Sequence, residues 1–290
     1  MMYSIAIPLH NNKDTILRCA KSALGQSYNN IEILISDTSS TDDSEKLIQS
    51  VANDRIKYFR NNKSWSMWEN HNFLINASKG DYIIFLHADD YLLPDAINII
   101  DCKLKKLNYP QRIILSGSSI YKDFKNTIQV LNLDIEKLIC GEDAVRLFSM
   151  GGLTPSGSVF SADLKKFGGF LDDGLIVPYS DCWTELYLCL NGFRYSYIND
   201  ILYIRSSNGT KFKYGNKREI KEVYSSLKEV YTDEQTDIIK NAAVYNLSFE
   251  LLKFFVQDSN YRANIRWALF KIFIRNPLKY LEVLNILFKY

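Results

Sequence analysis

The 290-residue chain lacks most of the devices that assign a protein at sight. Its cysteines, Cys19, Cys102, Cys140, Cys182 and Cys189, form no CxxC pair and have no histidine partners at zinc spacing. Scattered thiols in odd number exclude a complete disulfide framework and fit a reducing, cytosolic compartment. No stretch approaches the ~20 apolar residues of a membrane-spanning helix. Met1-Met2 runs straight into a strand-like YSIAIP, without the layout of a signal peptide. The net charge of +2 supplies no concentrated basic surface, so nucleic acid is not an expected partner. Neither GxGxxG nor GxxxxGK[ST] occurs, which argues against a Rossmann dinucleotide site and a P-loop. Internal repeats and low-complexity tracts are missing as well.

What is present centres on residues 79–94, KGDYIIFLHADDYLLP. Residues 82–86 are apolar, β-branched or aromatic, long enough for one buried strand. The strand ends in Asp89-Asp90, and Pro94-Asp95 then opens a helical pattern. Paired carboxylates at the end of a buried strand are costly without a positive partner. That end of an open α/β sheet is also where ligands bind, and hard divalent cations bridge carboxylates to phosphates.

The flanking pattern alternates. Strands are predicted at 3–8, 31–36 and 55–59, with helices from Asp14 to about Leu24, from the Ser40-Thr41-Asp42-Asp43 start to about Val51, and over 70–78. This rhythm predicts an α/β fold with a doubly wound, mostly parallel sheet. Beyond residue 100 it loosens: strands at 112–116, 119–121, 156–160 and 197–205, helices at 139–150 and 180–189, and a short helix at 162–167 stopped by Gly168-Gly169. From Lys217 the pattern is helical. The expected parts are a nucleotide-sugar-binding half at 1–100, an acceptor and base half at 101–215, and a helical extension at 216–290.

Three strand ends carry polar groups: Pro8-Leu9-His10-Asn11, then Asp37, then His87-Ala88-Asp89-Asp90. Tips of neighbouring parallel strands converge on one crevice, so these groups are expected to line a single pocket. SIAIPLHNN, ISDTSSTDDS and KGDYIIFLHADDYLLPD, in that order and at these separations, resemble the N-terminal half of the family 2 glycosyltransferases. The resemblance covers roughly residues 3 to 205.

It implies a GT-A fold and an inverting transfer of a hexose-type sugar from a nucleotide donor, with a UDP-sugar favoured. The acceptor would be a glycan or lipid-linked glycan of a bacterial surface polysaccharide. It further implies that Pro8, Leu9, His10 and Asn11 wall the nucleotide pocket, that Asp37 meets the base or ribose, and that Asn72 faces the nucleotide. Asp89 would bind Mn²⁺ or Mg²⁺ against the diphosphate, with His87, Ala88 and Asp90 around it. The family's Asp-x-Asp is His-x-Asp here, and His87 can ligate a metal or face a phosphate.

An inverting transfer needs a carboxylate to take the acceptor's proton. In GGFLDDGLIVPYSDCWTELYLCLNGFRYSYINDILYIR, similar to the family's acceptor region, Asp181 matches the base, and Ser180 replaces its usual acidic neighbour. Glu185 is the fallback, and Trp183 is either a sugar-stacking or a core residue. Arg205, Ser207 and Lys211 stand where, in relatives, a loop can close over the diphosphate, with Gly209 as a hinge; an exposed flexible loop is the alternative reading. Apolar helices with basic flanks at 266–289 suit packing on their own domain, a second subunit or an anionic membrane surface; the expected location is the cytoplasm, with peripheral contact at the inner face of the cell membrane as one alternative. Two rivals remain at this stage. One is a decayed GT-A-like binding module. The other is a sugar-phosphate nucleotidylyltransferase, whose Gly-rich, Arg-containing first loop PLHNNKD does not supply.

Overall fold

A computed structural model of the chain describes residues 1–51, 53–63, 65–122, 127–129, 138–148, 156–172, 180–206 and 229–246. It divides into two compact units, Met1–Ile139 with Leu153–Leu171 and Phe193–Thr210, and Cys140–Gly152 with Asp172–Gly192 and Lys211–Tyr290. The units interleave along the chain instead of following the linear halves 1–100 and 101–215. They do so because later strands join the first unit's sheet.

That sheet begins with β1 (Tyr3–Leu9), α1 (Ile16–Leu24), β2 (Ile31–Thr38), α2 (Ser44–Gln49), β3 (Ile56–Asn61), α3 (Met67–Ala77) and β4 (Tyr82–Phe85). It continues with β5 (Tyr91–Leu92), α4 (Ala96–Lys106), β6 (Ile113–Lys122), β7 (Thr127–Gln129), β8 (Val159–Ser161), a 3₁₀ turn (Ala162–Phe167) and β9 (Arg194–Ser206). The strand order is β3-β2-β1-β4-β8-β6-β9-β5, with β7 on β6. β1, β2, β3 and β4 pair in parallel, as do β6 and β9, while β8, β5 and β7 pair antiparallel. The long ladders are the parallel ones, so the sheet is mixed and mostly parallel, as the alternating pattern predicts.

Every residue of β2 and β4 is buried, as helices on both faces of a parallel sheet require. Two carboxylates have to be accommodated there, Glu32 and Asp37. Glu32, 4% exposed, accepts hydrogen bonds from Ser4 Oγ (2.7 Å), Lys57 Nζ (2.6 Å) and Lys79 N (2.5 Å). Burial alone would raise its pKa, but these donors hold it below the usual carboxylate value.

Several boundaries differ from the sequence expectation. The segment around Gly117-Ser118-Ser119 is no turn between two strands but a bulge inside one strand, β6, with register shifts against β9 on both sides of Ser118. Helix α3 starts at Met67, not near Asn70, because Ser66 and Glu69 form a reciprocal capping box. Thr15 rather than Asp14 occupies the N-cap position of the first helix, without a side-chain capping hydrogen bond among the described residues.

The second unit contributes α5 (Gly141–Phe148), α6 (Ser180–Leu190) and α7 (Asp233–Asn246). Within it Tyr231 donates its hydroxyl to the Trp183 carbonyl. Ser207, Gly209, Lys211 and the apolar helices expected at 266–289 lie outside the described residues. Among those described, no helix is long and apolar enough to cross a membrane.

Gly80 sits where the β4 entry crosses β1, and a Cβ there would stand 2.6 Å from Ser4 N and 2.9 Å from Tyr3 C. Both are backbone atoms, so nothing yields cheaply. Gly80→Ala is expected to destabilise the protein by about 2 kcal/mol or more, read by urea unfolding.

Candidate functional site

The parallel register brings the tips of β1 and β2 level, with Leu9 opposite Asp37. The loops that follow are stitched together. Ser40 Oγ accepts from Asn11 N at 2.8 Å, Asn11 Oδ1 from Thr41 N at 2.8 Å, Ser44 Oγ from Asn12 N at 3.2 Å, and Asp42 from Lys13 N at 3.0 Å. Asn11 adopts φ 50°, a left-handed turn that asparagine tolerates. His10, exposed, donates from Nδ1 to the Thr38 carbonyl at 2.6 Å and accepts from Asn11 Nδ2 at 3.1 Å. Pro8, half-buried, stands beside these two residues at the tip of β1. Leu9 is 1% exposed and belongs to the core, so its side chain lines no pocket.

Asp37 corrects a second expectation. Its carboxylate is fully buried and accepts from Ser40 N (2.9 Å), Tyr58 Oη (2.6 Å) and Arg60 Nη1 (3.2 Å). It holds the β2 tip and its loop together, and all three of these donors come from the protein itself. Asn72 is corrected likewise. Its amide closes on the Phe170 backbone, donating to the carbonyl at 2.8 Å and accepting from the N–H at 2.7 Å. Its neighbour Asn70, 3% exposed, donates to Ser36 O at 2.9 Å, and its buried Oδ1 has no hydrogen-bond partner among the described residues.

After β4, one ligand atom each from His87, Asp89 and Asp90 lies within 4.8 Å of the others. Ala88 between them is 3% exposed and packs into the core. The turn is held from several sides. Cys19 Sγ donates to His87 O (3.5 Å), Asp90 N donates to the same carbonyl (2.9 Å), and Ser156 Oγ accepts from His87 N (3.2 Å). Arg18 donates to Asp89 O at 3.2 Å while its guanidinium lies 4.5 Å over the Tyr91 ring. Asp90 is 4% exposed and accepts from Ser156 Oγ (2.5 Å) and Ser206 N (2.9 Å).

Electrostatics push these groups toward their neutral forms. Desolvation, then the Asp89 charge, raises the Asp90 pKa to about 6, against the opposing hydrogen bonds and Arg205. Desolvation raises Asp89 too, while the charges of Arg205 and Arg18 oppose it. Burial and then Arg205 lower His87 to about 4, and burial with His87 nearby lowers His71 to about 3. Two carboxylate oxygens and a neutral imidazole nitrogen form a donor set that suits Mn²⁺, and Mg²⁺ less well because of the nitrogen. The raised carboxylate pKa values mark a site whose negative charge lacks full compensation, so the residues fit a divalent cation.

In the second unit, Asp181 lies half-buried in the first turn of α6 and its Oδ1 accepts from Cys182 N at 2.9 Å. Ser180 and Glu185 are fully buried, which removes Glu185 as an accessible fallback. Trp183, 1% exposed and packed on Tyr231 at 6.0 Å, is a core residue rather than a sugar platform.

Residues 4–115, which contain the whole His87–Asp90 turn, match the family model described as Glycosyl transferase family 2. Over this segment the chain is similar to that family. Its relatives include the Escherichia coli UDP-Glc:alpha-D-GlcNAc-diphosphoundecaprenol beta-1,3-glucosyltransferase WfaP, 41% identical over 97 residues, which are 33% of this chain and 39% of that protein. Another is the Campylobacter jejuni GalNAc(5)-diNAcBac-PP-undecaprenol beta-1,3-glucosyltransferase, 32% identical over 100 residues, or 33% of this chain and 32% of that one. Each match thus spans well under half of the relative's length. The S. aureus TarS 1-349 structure in complex with UDP-GlcNAc superposes with a TM-score of 0.70 at 15% identity, covering 93% of this chain and 80% of that one. The fold is GT-A.

Sequence reasoning missed Ser156, Asn70 and the Tyr58–Arg60 pair around Asp37. Tyr58 and Arg60 alternate on β3 opposite the β2 tip, a period-2 pattern visible in YFR once the strands are paired. Removing Asp37 leaves its donors without a buried acceptor. Asp37→Ala is expected to cost about 3 kcal/mol, less than a wholly buried pair because Arg60 is 34% exposed, with chemical denaturation as the measurement.

Proposed function

We propose that the protein is an inverting glycosyltransferase that moves a hexose-type sugar from a UDP-sugar to a glycan or lipid-linked glycan acceptor. The observation that carries this reading is the His87–Asp89–Asp90 cluster at the C-terminal end of β4, inside the family segment. The UDP donor is supported by the nucleotide sugar in the TarS complex and by the donor in WfaP's name, and the lipid-linked acceptor by the undecaprenol in both relatives' names.

In this reading Pro8, His10 and Asn11 wall the nucleotide site, and Asp89 with Asp90 and His87 holds Mn²⁺ or Mg²⁺. When bound, the cation neutralises charge on the departing diphosphate. Arg205, close enough to shift all three groups, adds positive charge on the same side. The acceptor hydroxyl oxygen attacks the anomeric carbon, the bond from that carbon to the diphosphate oxygen breaks, and the hydroxyl proton passes to Asp181. The nucleoside diphosphate leaves with the bonding electron pair, so the anomeric centre inverts.

Titration of UDP, GDP and dTDP with and without Mn²⁺ tests the donor site. UDP is expected to bind in a Mn²⁺-dependent manner, lost in Asp89→Ala; binding of none of the three would sink the donor reading. Asp181→Asn is expected to keep UDP affinity while turnover falls by about a hundredfold or more. The pH dependence has a definite sign. Asp90's folded pKa is raised to about 6, so it is ionised above that pH and a proton competes with the cation below it. Mn²⁺ affinity should therefore fall as pH is lowered through about 6, measured calorimetrically.

A further inference from the structure

Helix α3 brings a second histidine up to the first. His71 is fully buried among Trp68, Phe85 and Phe170, with ring centroids 5.1, 5.2 and 5.6 Å away. Its Nε2 faces His87 Nε2 at 3.4 Å, with the ring planes 86° apart. Its Nδ1 lies 2.7 Å from the Met67 carbonyl oxygen, one helical turn back.

These contacts settle where the protons are. A carbonyl oxygen only accepts, so His71 Nδ1 carries a hydrogen. The aromatic enclosure disfavours a charged ring, which leaves His71 Nε2 as a bare lone pair. Two bare nitrogens would repel at this distance, so His87 carries its hydrogen on Nε2 and donates it to His71. Nδ1 of His87 is then the unprotonated nitrogen, and among the described residues nothing donates to it.

We propose that His71 is a positioning residue that fixes His87 in its Nε2–H tautomer, so that His87 presents Nδ1 as a lone-pair ligand to a divalent cation shared with Asp89 and Asp90. The proposal rests on the metal–diphosphate reading above and deepens it. A bare Nδ1 cannot donate to a phosphate oxygen, so His87 meets the cation and leaves the anion to other groups. A carbonyl orienting one ring and that ring orienting the next extends the usual second partner of a metal-bound histidine by one imidazole.

The test uses the full chain. In metal-free protein carrying ¹⁵N-histidine, a ¹H–¹⁵N side-chain correlation at neutral pH is expected to show Nδ1–H for His71 and Nε2–H for His87. Electron paramagnetic resonance with Mn²⁺ alone should show coupling to one ¹⁴N nucleus, lost in His87→Asn. His71→Phe fills the enclosure without an acceptor and should lower Mn²⁺ affinity roughly tenfold, with the His87 tautomers becoming mixed. His71→Gln, whose side-chain oxygen replaces the acceptor, should stay within about threefold of wild type. Thermal unfolding shows whether each variant is folded, and if His71→Phe is not, the wild-type spectrum decides alone. A protonated His87 Nδ1 in wild type, or undiminished Mn²⁺ affinity in folded His71→Phe, overturns the proposal. Wild type that binds no Mn²⁺ yet shows both tautomers overturns the metal reading and the ligand role of His87, while upholding the contact that sets its tautomer.

Discussion

The constraint on which this crevice depends is the burial of Asp90 beside Asp89. A carboxylate 4% exposed, next to a second one, keeps its charge only if the surrounding chain supplies donors. Those donors come from far along the sequence: Ser156 ahead of β8 and the Ser206 N–H at the end of β9. The mixed topology is what makes them available. Strand β8 runs antiparallel to β4, so the residue before it arrives at the level where β4 ends. Strand β9 is parallel to β6, which is antiparallel to β8, so β9 runs with β4 and its C-terminal end arrives there too. A purely parallel continuation would have brought only strand C-termini to this edge.

That geometry also explains why the compensation is partial. Two neutral or backbone donors and nearby guanidinium groups do not cancel two desolvated carboxylates, and the Asp90 pKa stays near 6. The histidines respond in the same sense, losing charge through burial. The carboxylates of the cluster therefore take up a proton at a higher pH than free ones would, while the histidines stay neutral, and a bound divalent cation would compete with that proton. Arg18 contributes as well as screening, since its contacts with the Asp89 carbonyl and the Tyr91 ring join α1 to the turn.

Legibility followed how local each cause was. β1, β2 and β4 could be read directly, because strands buried on both faces have to be continuously apolar. The strand-end polar groups were visible for the same reason, as abrupt interruptions of such runs. The start of α3 is written in SMWE, residues 66–69, but its capping box precedes the helical periodicity by a turn. The bulge at Gly117-Ser118-Ser119 has the composition of a turn, and only pairing with β9 distinguishes the two. Asp37 and Asn72 were misread because their partners, Tyr58, Arg60 and the Phe170 backbone, are brought to them by the sheet and by the turn after β8. A sequence position carries no record of such partners until the strands are in register.

His71 shows the limit most sharply. A single histidine in an apolar helix is ordinarily a satisfied core residue, and by burial it is one here. Its consequence lies entirely in the direction of its two nitrogens. One is fixed by the helix's own carbonyl at Met67, so the other must face His87 as an acceptor. Replacing the usual first carboxylate of the motif by a histidine removes a negative charge from the cluster. It also makes the cluster depend on a tautomer, which a carboxylate does not have. A histidine at position 87 therefore needs an orienting neighbour in a way that an aspartate would not, and α3 supplies one from within the same fold.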